Sequence, residues 1–334
     1  MKKKKILKIL ILIAIMTALA MIPVFAKSNY IVSVGVLFFI YASLGTTWNI
    51  ISGYAGQICW CMASFVAIGA YASFILDVRL GVNPWIGMFI GMLVSAGVSL
   101  IIGAVSFKHR GVFFSLVTIG FTEIVRILLI YFKGFTGGSN GLYVTYRENN
   151  LAKLTFDTDT PMFYIMMVVT VVIVFIAWRI ENTRLGYYLR AIGADQDAAE
   201  SLGIDAFKVK MQAFVISAML ASIVGTFFAY FLCYIDPTTV GALAISTKIG
   251  AMAIVGGIGT LFGPLIGAAV LVPMTEISSM LLGSSGSGML LYGAVMLLII
   301  ILRPGGVISF FYKGNNITRM QKYFKKEGLT DVDT

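Results

Sequence analysis

The sequence predicts an all-α polytopic membrane protein with about eight to ten transmembrane helices, and three observations support this fold class. Hydrophobic residues make up 59% of the 334 residues. Charged residues contribute only 12%, whereas a soluble domain has about a quarter. Apolar runs long enough to span a bilayer recur along the whole chain. The short alternating segments of a transmembrane β-barrel are absent from the sequence, so the apolar runs are expected to be helices.

The apolar runs predict ten membrane-embedded segments. They are 6–26, 30–51, 58–76, 84–107, 111–132, 161–178, 211–235, 245–258, 261–282 and 288–302. Segments 245–258 and 288–302 are shorter than the roughly 20 residues of a full crossing, so one of them is expected to be tilted or re-entrant. The first segment also resembles a signal peptide that ends near Ala26, but its long apolar run favours an uncleaved first helix.

These segments divide the chain into three parts. Residues 1–29 hold a basic N-terminus and the first helix, residues 30–310 form the transmembrane domain, and residues 311–334 form a tail. Inside the domain, residues 133–160 form a long external loop and residues 179–210 a long internal loop.

The basic residues predict that both termini lie in the cytoplasm. If successive segments cross the membrane in alternate directions, the loops and ends on one side contain 18 of the 25 Lys and Arg residues. Those on the other side contain five. Such an excess marks the cytoplasmic side, and a cytoplasmic tail favours an even number of crossings. The net charge of +10 is therefore interpreted as an orientation signal, and no nucleic-acid partner is expected.

The internal loop 179–210 is polar but patterned. Asp195 is predicted to cap a short helix over 196–202, with Asp197 in the first turn, where the helix dipole favours an anion. Gly203 follows in the position that a left-handed helix end requires. The loop therefore contains a two-turn helix.

A two-turn helix is only marginally stable in water unless a partner receives it. Small Ala198 and Ala199 beside Leu202 are expected to let this helix lie close in a groove, with its charged residues at the rim. A solvated connector is the alternative interpretation.

Two further stretches carry polar groups. Glu123 and Arg126 are three residues apart within segment 111–132 and share one helix face. They form either a mutually neutralising pair that holds helices together or a polar patch beside a substrate path. In the external loop, FTGGSNGL (135–142) is expected to be a compact turn with exposed backbone donors.

The chemistry of an enzyme is missing from the sequence. There is no phosphate-binding GxxxxGK[ST] loop, no carboxylate cluster within the membrane segments and a single histidine, His109. No catalytic residue, bound cofactor or metal site is therefore assigned to this chain, and it is not expected to be an enzyme.

Several stretches in collinear order resemble one known family. RGVFFSLVTIGFTEIVRILLIYFKGFTGGSNGL (110–142) and RLGYYLRAIGADQDAAESLGIDAFKVKMQAFVISAMLASIVGTFFAYFLCYIDPTT (184–239) resemble the LivM-type permeases of branched-chain amino-acid ABC importers. AIVGGIGTLFGPLIGA (253–268) and LRPGGVI (302–308) resemble the same family.

The resemblance implies the ABC importer permease fold in the cell membrane. It implies a second, homologous permease subunit, two cytoplasmic ATPases that bind ATP and Mg, and an extracytoplasmic solute-binding protein. It also implies that the short helix is the ATPase-coupling helix, with the residues Asp195, Asp197, Ala198, Ala199, Glu200, Ser201, Leu202 and Gly203. The candidate docking loop for the binding protein is formed by Gly137, Gly138, Ser139, Asn140 and Gly141.

One departure from the family pattern leaves the cargo open. The family commonly follows GYAGQ with a Ser-Leu-Gly-His-like stretch, whereas here ICWCMASF (58–65) follows and places Trp60 and Met62 near a helix start. Together with Glu123 and Arg126, these two residues are the candidates for the translocation path. The cargo is expected to be a branched-chain amino acid, with another amino acid or a small amide such as urea as alternatives.

A stand-alone secondary transporter or channel is the competing hypothesis for the function. Glu123 and Asp236 would then be ion-coupled groups, and no ATPase would be needed.

Overall fold

A computed structural model describes residues 20–25, 28–144, 149–282, 293–294, 296–299, 301 and 305–310. Within them, seven helical segments are long and apolar enough to cross a membrane. They are Asn29–Gly53, Met62–Leu80, Pro84–Ser106, Val112–Tyr131, Thr160–Glu181, Ala206–Leu232 and Pro237–Gly257. Most of the predicted segments 6–26 and 288–302, and the tail 311–334, lie outside the described residues. The multi-pass membrane architecture expected from the sequence is confirmed.

The described elements are almost all helices. In chain order they are α1 (Ile22–Phe25), α2 (Asn29–Trp48), α3 (Met62–Leu80), α4 (Pro84–Ser106), α5 (Val112–Tyr131), α6 (Lys133–Thr136), α7 (Thr160–Glu181), α8 (Arg184–Ala194), α9 (Gln196–Ser201), α10 (Ala206–Leu232), α11 (Pro237–Gly241), α12 (Leu243–Gly257) and α13 (Gly263–Leu282). A π-helical turn, Asn49–Gly53, extends α2, and 3-10 turns occupy Gly138–Asn140 and Val307–Phe310. The strands β1 (Leu142–Tyr143) and β2 (Tyr234–Ile235) pair antiparallel.

Helix α10 lies at the centre and packs against α3 and α4. Small residues make this contact close, because a Cβ atom added to Gly69 would lie 2.0 Å from the carbonyl oxygen of Ser222. One added to Gly225 would lie 2.2 Å from that of Val66. Because lipid provides no hydrophobic drive between helices, such backbone approach supplies the packing energy. Sixty-seven per cent of the most apolar stretch of α10 is buried, compared with 17% for α5.

The loops gather at two ends of the bundle. At one end, here named the polar-loop end, the loops 54–57, 107–111 and 182–205 meet, as the ion pair between Arg110 and Asp197 and the Arg190 guanidinium over the Tyr54 ring show. The opposite, outer end carries the β1–β2 pair and the external loop, whose Leu151 carbonyl accepts a hydrogen bond from Trp85 Nε1. Loops at two opposite ends are what alternate crossing requires, and the basic residues predict that the polar-loop end faces the cytoplasm and the outer end the opposite side.

Three predicted segments have different bounds in the structure. Predicted segment 58–76 is helical only from Met62, where α3 begins. The non-helical residues before it, 54–61, are named the broken segment below. Segment 211–235 becomes α10 and starts earlier, because the Asp205 carboxylate accepts a hydrogen bond from the Lys208 N–H and caps the helix. Segment 245–258 is one of the two short segments of which one is expected to be tilted or re-entrant, but α11 and α12 together give a 21-residue span, Pro237–Gly257.

Candidate coupling and translocation site

The predicted short helix is present at the polar-loop end. The Asp195 carboxylate accepts hydrogen bonds from the N–H groups of Asp197 and Ala198, each at 3.1 Å. Gly203 follows the helix with φ of 85°, in the left-handed region. The predicted cap and the predicted stop residue are confirmed, although α9 ends at Ser201, one residue early, and Leu202 is its C-cap.

The faces of α9 differ from the prediction. Ala199 is buried against the rest of the chain, so it is not available to a partner groove. Leu202 is instead 83% exposed, and Ala198 and Ser201 are also exposed. The surface that α9 offers is therefore a single projecting leucine flanked by small residues.

Helix α9 is also held by a continuous chain of polar contacts. Arg110, from the loop before α5, places Nη1 2.5 Å from Asp197 Oδ1 and Nη2 3.4 Å from Glu200 Oε2. Glu200 Oε1 accepts a hydrogen bond from Gln196 Nε2 at 2.7 Å, and Gln196 Oε1 accepts one from Lys210 Nζ of α10 at 2.6 Å. The hydrogen bond to Asp197 raises the pKa of the Arg110 guanidinium, because the contact favours its charged form.

The broken segment is fastened to α5 by hydroxyl groups. Ser115 Oγ donates to the carbonyl of Ile58 at 2.8 Å, and Thr122 Oγ1 donates to the carbonyl of Trp60 at 2.9 Å. Thr118 Oγ1 accepts from the Trp60 N–H at 3.1 Å. Backbone that leaves a helix at membrane depth needs partners of this kind, because lipid offers none.

Cys59 of the broken segment has partners on α2 and on the π-helical turn that extends it. Trp48 Nε1 donates to the carbonyl of Cys59 at 2.6 Å, and the Cys59 N–H donates to Ser52 Oγ at 3.0 Å. Just beyond it, the Ala63 N–H donates to Ser246 Oγ at 2.9 Å. The segment is therefore an ordered part of the membrane domain.

Its depth follows from helix geometry. Thr118 and Thr122 lie six and ten residues after the start of α5 at Val112, which corresponds to about 9 and 15 Å along the helix. A hydrocarbon core is about 30 Å thick. Trp60 therefore lies near the middle of the membrane, where α3 begins.

The four candidate path residues lie around α5. Trp60 is half-buried, and Met62 is fully buried at the start of α3. Glu123 and Arg126 form the predicted ion pair, with Arg126 Nη2 2.7 Å from Glu123 Oε2 and both side chains partly exposed. Arg126 is one turn beyond Thr122 on the same face.

Sequence reasoning missed the hydroxyl stripe of α5. Ser115, Thr118 and Thr122 are spaced three and four residues apart in an otherwise apolar helix, which places them on one face. This spacing was visible in the sequence and indicates a helix with polar partners inside the membrane.

The candidate docking loop lies at the outer end but is tighter than predicted. The N–H of Gly138 donates to Thr136 Oγ1 and the N–H of Asn140 to the Gly137 carbonyl, so these backbone donors are used within the turn. Ser139 and Asn140 are exposed. The surface available to a partner is therefore made of these two side chains.

No metal-binding arrangement is found in the part of the chain that the structure describes, since no three His, Cys, Asp or Glu side chains are grouped there. Cys59 and Cys61 are buried free thiols with their sulfur atoms 3.2 Å apart.

Comparison of the sequence with known proteins assigns this chain to a family. The family described as branched-chain amino acid transport system / permease component matches residues 30–300. The high-affinity branched-chain amino acid transport system permease protein LivM of Escherichia coli K12 is 30% identical over 306 residues, covering 85% of this chain and 71% of that protein. LivH of the same strain is 27% identical over 287 residues, covering 80% and 91%.

A permease named for another cargo is also similar. The ribose import permease protein RbsC of Escherichia coli K12 is 25% identical over 310 residues, covering 90% of this chain and 93% of that protein. The family match spans most of the chain and includes all seven of its described spans except the first residue of Asn29–Gly53. This chain belongs to the family of permease components of branched-chain amino acid transport systems.

Proposed function

We propose that this chain is one permease subunit of an ATP-driven importer of branched-chain amino acids and that α9 couples it to an ATPase subunit. A second, homologous permease completes the membrane path, two cytoplasmic ATPases bind ATP and Mg, and an extracytoplasmic binding protein delivers the cargo. The observation that carries the proposal is the capped helix α9 with its projecting Leu202.

Leu202 needs a receiving surface. Burying a leucine side chain stabilises a complex by about 1.5–3 kcal/mol, and an apolar anchor surrounded by small residues fits a groove. Asp197 and Glu200 lie beside it and supply charge at the rim of such a contact. The groove that receives Leu202 would belong to an ATPase subunit, which would also bind ATP and Mg.

The cargo path is proposed to run along α5. Its polar stripe continues from Thr118 and Thr122 to Arg126, and Trp60 and Met62 lie where the stripe meets the broken segment. A charged pair at this depth is costly against lipid. Because Glu123 and Arg126 are partly exposed in this chain, a second permease or a water-filled path is expected to cover them.

At the outer end, Ser139 and Asn140 are proposed to contact the binding protein. They are exposed on a turn fixed by glycines, since Gly137, Gly138 and Gly141 all adopt positive φ. A turn of fixed shape loses little conformational entropy when a partner binds.

The test of α9 uses the complete importer in proteoliposomes, with radiolabelled leucine as the probe. Leu202→Glu is expected to lose both ATPase co-purification and ATP-dependent uptake. Leu151→Glu is the matched control, because Leu151 is also exposed but lies at the outer end; it should keep the ATPase bound. Normal co-purification and uptake by Leu202→Glu would overturn the role of α9.

The competing hypothesis, a stand-alone transporter, needs Glu123 and Asp236 as ion-coupled groups. The Asp236 carboxylate accepts hydrogen bonds from the N–H groups of Thr238 and Thr239 and caps α11, which gives it a structural role. The purified chain alone distinguishes the hypotheses: gradient-driven leucine flux without ATPases would favour the transporter. Competition by isoleucine, valine, ribose and urea identifies the cargo class.

A further inference from the structure

The chain of polar contacts across α9 joins α10 to α5, and these two helices differ in how tightly they pack against the rest of the protein. One end is Lys210 of α10, whose side chain is buried and whose helix lies at the centre of the bundle. The other end is Arg110, which contacts both Asp197 and Glu200 with one guanidinium group. Such two-point contact fixes the orientation of a helix as well as its distance. Helix α9 is therefore linked to a packed span on one side and to α5 on the other.

The link from Arg110 to α5 is short. Only Gly111 separates Arg110 from Val112, the first residue of the helix. A single residue allows little independent movement of Arg110 and Val112. When α9 displaces the Arg110 side chain, the start of α5 is therefore displaced too.

Helix α5 is suited to respond to that displacement. Only 17% of its most apolar stretch is buried, so few apolar contacts inside the chain resist its movement. Its hydroxyl groups hold the broken segment at Ile58 and Trp60. Movement of α5 would therefore displace the backbone that precedes α3.

We propose that Arg110 is a positioning residue that ties the coupling helix α9 to α5 and, through α5, to the broken segment beside Trp60. This inference rests on the proposed function, in which an ATPase receives α9. Lys210 holds α9 against α10, and Arg110 transmits the motion of α9 toward the membrane centre. Loss of Arg110 uncouples hydrolysis from transport and leaves the docking of the ATPase intact.

The experiment compares Arg110→Glu, Asp197→Arg and the combined charge-swap variant in the complete importer in proteoliposomes. The measured quantity is radiolabelled leucine taken up per ATP hydrolysed, a ratio that lower protein yield does not change. Each single variant is expected to lower this ratio at least about fivefold, the lower end of measured coupling effects. The swap restores the pair between positions 110 and 197 but not the contact with Glu200, so it is expected to recover the ratio only in part, to at least about twofold above either single variant.

Lys208→Gln is the matched control. It removes one positive charge from the same end of the bundle, but Lys208 pairs with Asp205, only three residues away and at the start of the same helix. Its leucine-to-ATP ratio should equal that of the wild type.

Three results would overturn the inference. They are an unchanged ratio in Arg110→Glu, a swap variant no better than the single variants, and loss of ATPase co-purification in Arg110→Glu. The last would place Arg110 in the docking surface. If the wild-type importer shows no ATP-dependent uptake, the proposed function itself fails, so the two failures are distinguishable.

Discussion

Helices α5 and α10 both have the length and composition of a membrane span, but the protein holds them by opposite means. Helix α10 contacts α3 through glycines that bring backbones together, as at Gly225 and Val66. Helix α5 is largely unburied and is held by hydroxyl groups that bond to the irregular backbone near Trp60. Close packing fixes a helix over its whole length, whereas a few directional bonds can break and re-form. Within this chain α10 is therefore held along its length, whereas α5 is held mainly where its hydroxyl groups meet the broken segment.

The largest effect should come from filling the contact that holds α10. Gly225→Ala places a methyl group 2.2 Å from the carbonyl oxygen of Val66, so the two helices must separate. We expect the free energy of unfolding in detergent to fall by at least about 2–3 kcal/mol. Gly120→Ala on α5 is the matched control, because nothing lies within 4 Å of the added atom; it should stabilise the helix by about 0.5–1 kcal/mol. Equal effects at both positions would contradict the contrast between these helices.

The ion pair of α5 should come next. Arg126→Leu leaves Glu123 unpaired within the membrane, and we expect a loss of about 2–3 kcal/mol in the free energy of unfolding. Replacing both residues by leucine should recover this stability, because no charge remains unpaired. If the pair lines the path, the double variant will still fail to transport leucine in proteoliposomes. Normal uptake by a stable double variant would leave the pair a structural role alone.

A smaller effect is expected where α5 binds the broken segment. Thr118→Val removes the acceptor of the Trp60 N–H and should lower the free energy of unfolding by about 1–3 kcal/mol. Thr226→Val, on α10, removes only a donor to the Gly69 carbonyl and should cost less. Thermal unfolding of the two purified variants gives the comparison, and a larger loss for Thr226→Val would argue against the assignment.

Removing the N-terminal cap of α9 should destabilise only that helix. Asp195→Ala removes the acceptor of two helix N–H groups and should destabilise the helix by about 0.5–2 kcal/mol. Faster hydrogen exchange at the amides of Asp197 and Ala198 reports this opening. Asp195→Asn keeps an acceptor oxygen and should exchange nearly as slowly as the wild type. Unchanged exchange in Asp195→Ala would contradict the capping role.

The smallest effect should be the acid sensitivity at the start of α10. The hydrogen bond from the backbone N–H of Lys208 holds the pKa of Asp205 below its usual value. Its stabilising contribution is therefore complete above the unfolded-state pKa and is lost as pH falls through the folded-state pKa. Thermal unfolding from pH 7 to pH 3 should show a slightly smaller loss for Asp205→Asn than for the wild type. Identical curves would assign the acid sensitivity to other groups.

Much of this fold could be predicted from local patterns. The predicted segments from 30–51 to 245–258 all correspond to spans, because hydropathy depends on the residues of the segment itself. The cap at Asp195 and the stop at Gly203 were predictable for the same reason. The non-helical course of residues 58–61 was not, since they are as apolar as a helix. Their irregular backbone depends on Ser115, Thr118 and Thr122, which are distant in the chain.

The sequence by itself determined the membrane class, the alternation of loops, the short capped helix and the family resemblance. Each of these depends on composition, on contacts between residues no more than about four positions apart in the chain, or on a series of motifs in the same order as in the family. Only the tertiary structure decided that Ala199 faces inward and Leu202 outward, and that Arg110 reaches Asp197 from 87 positions away. The physical reason is that such contacts depend on how the spans pack, and apolar spans carry little sequence signal for their neighbours.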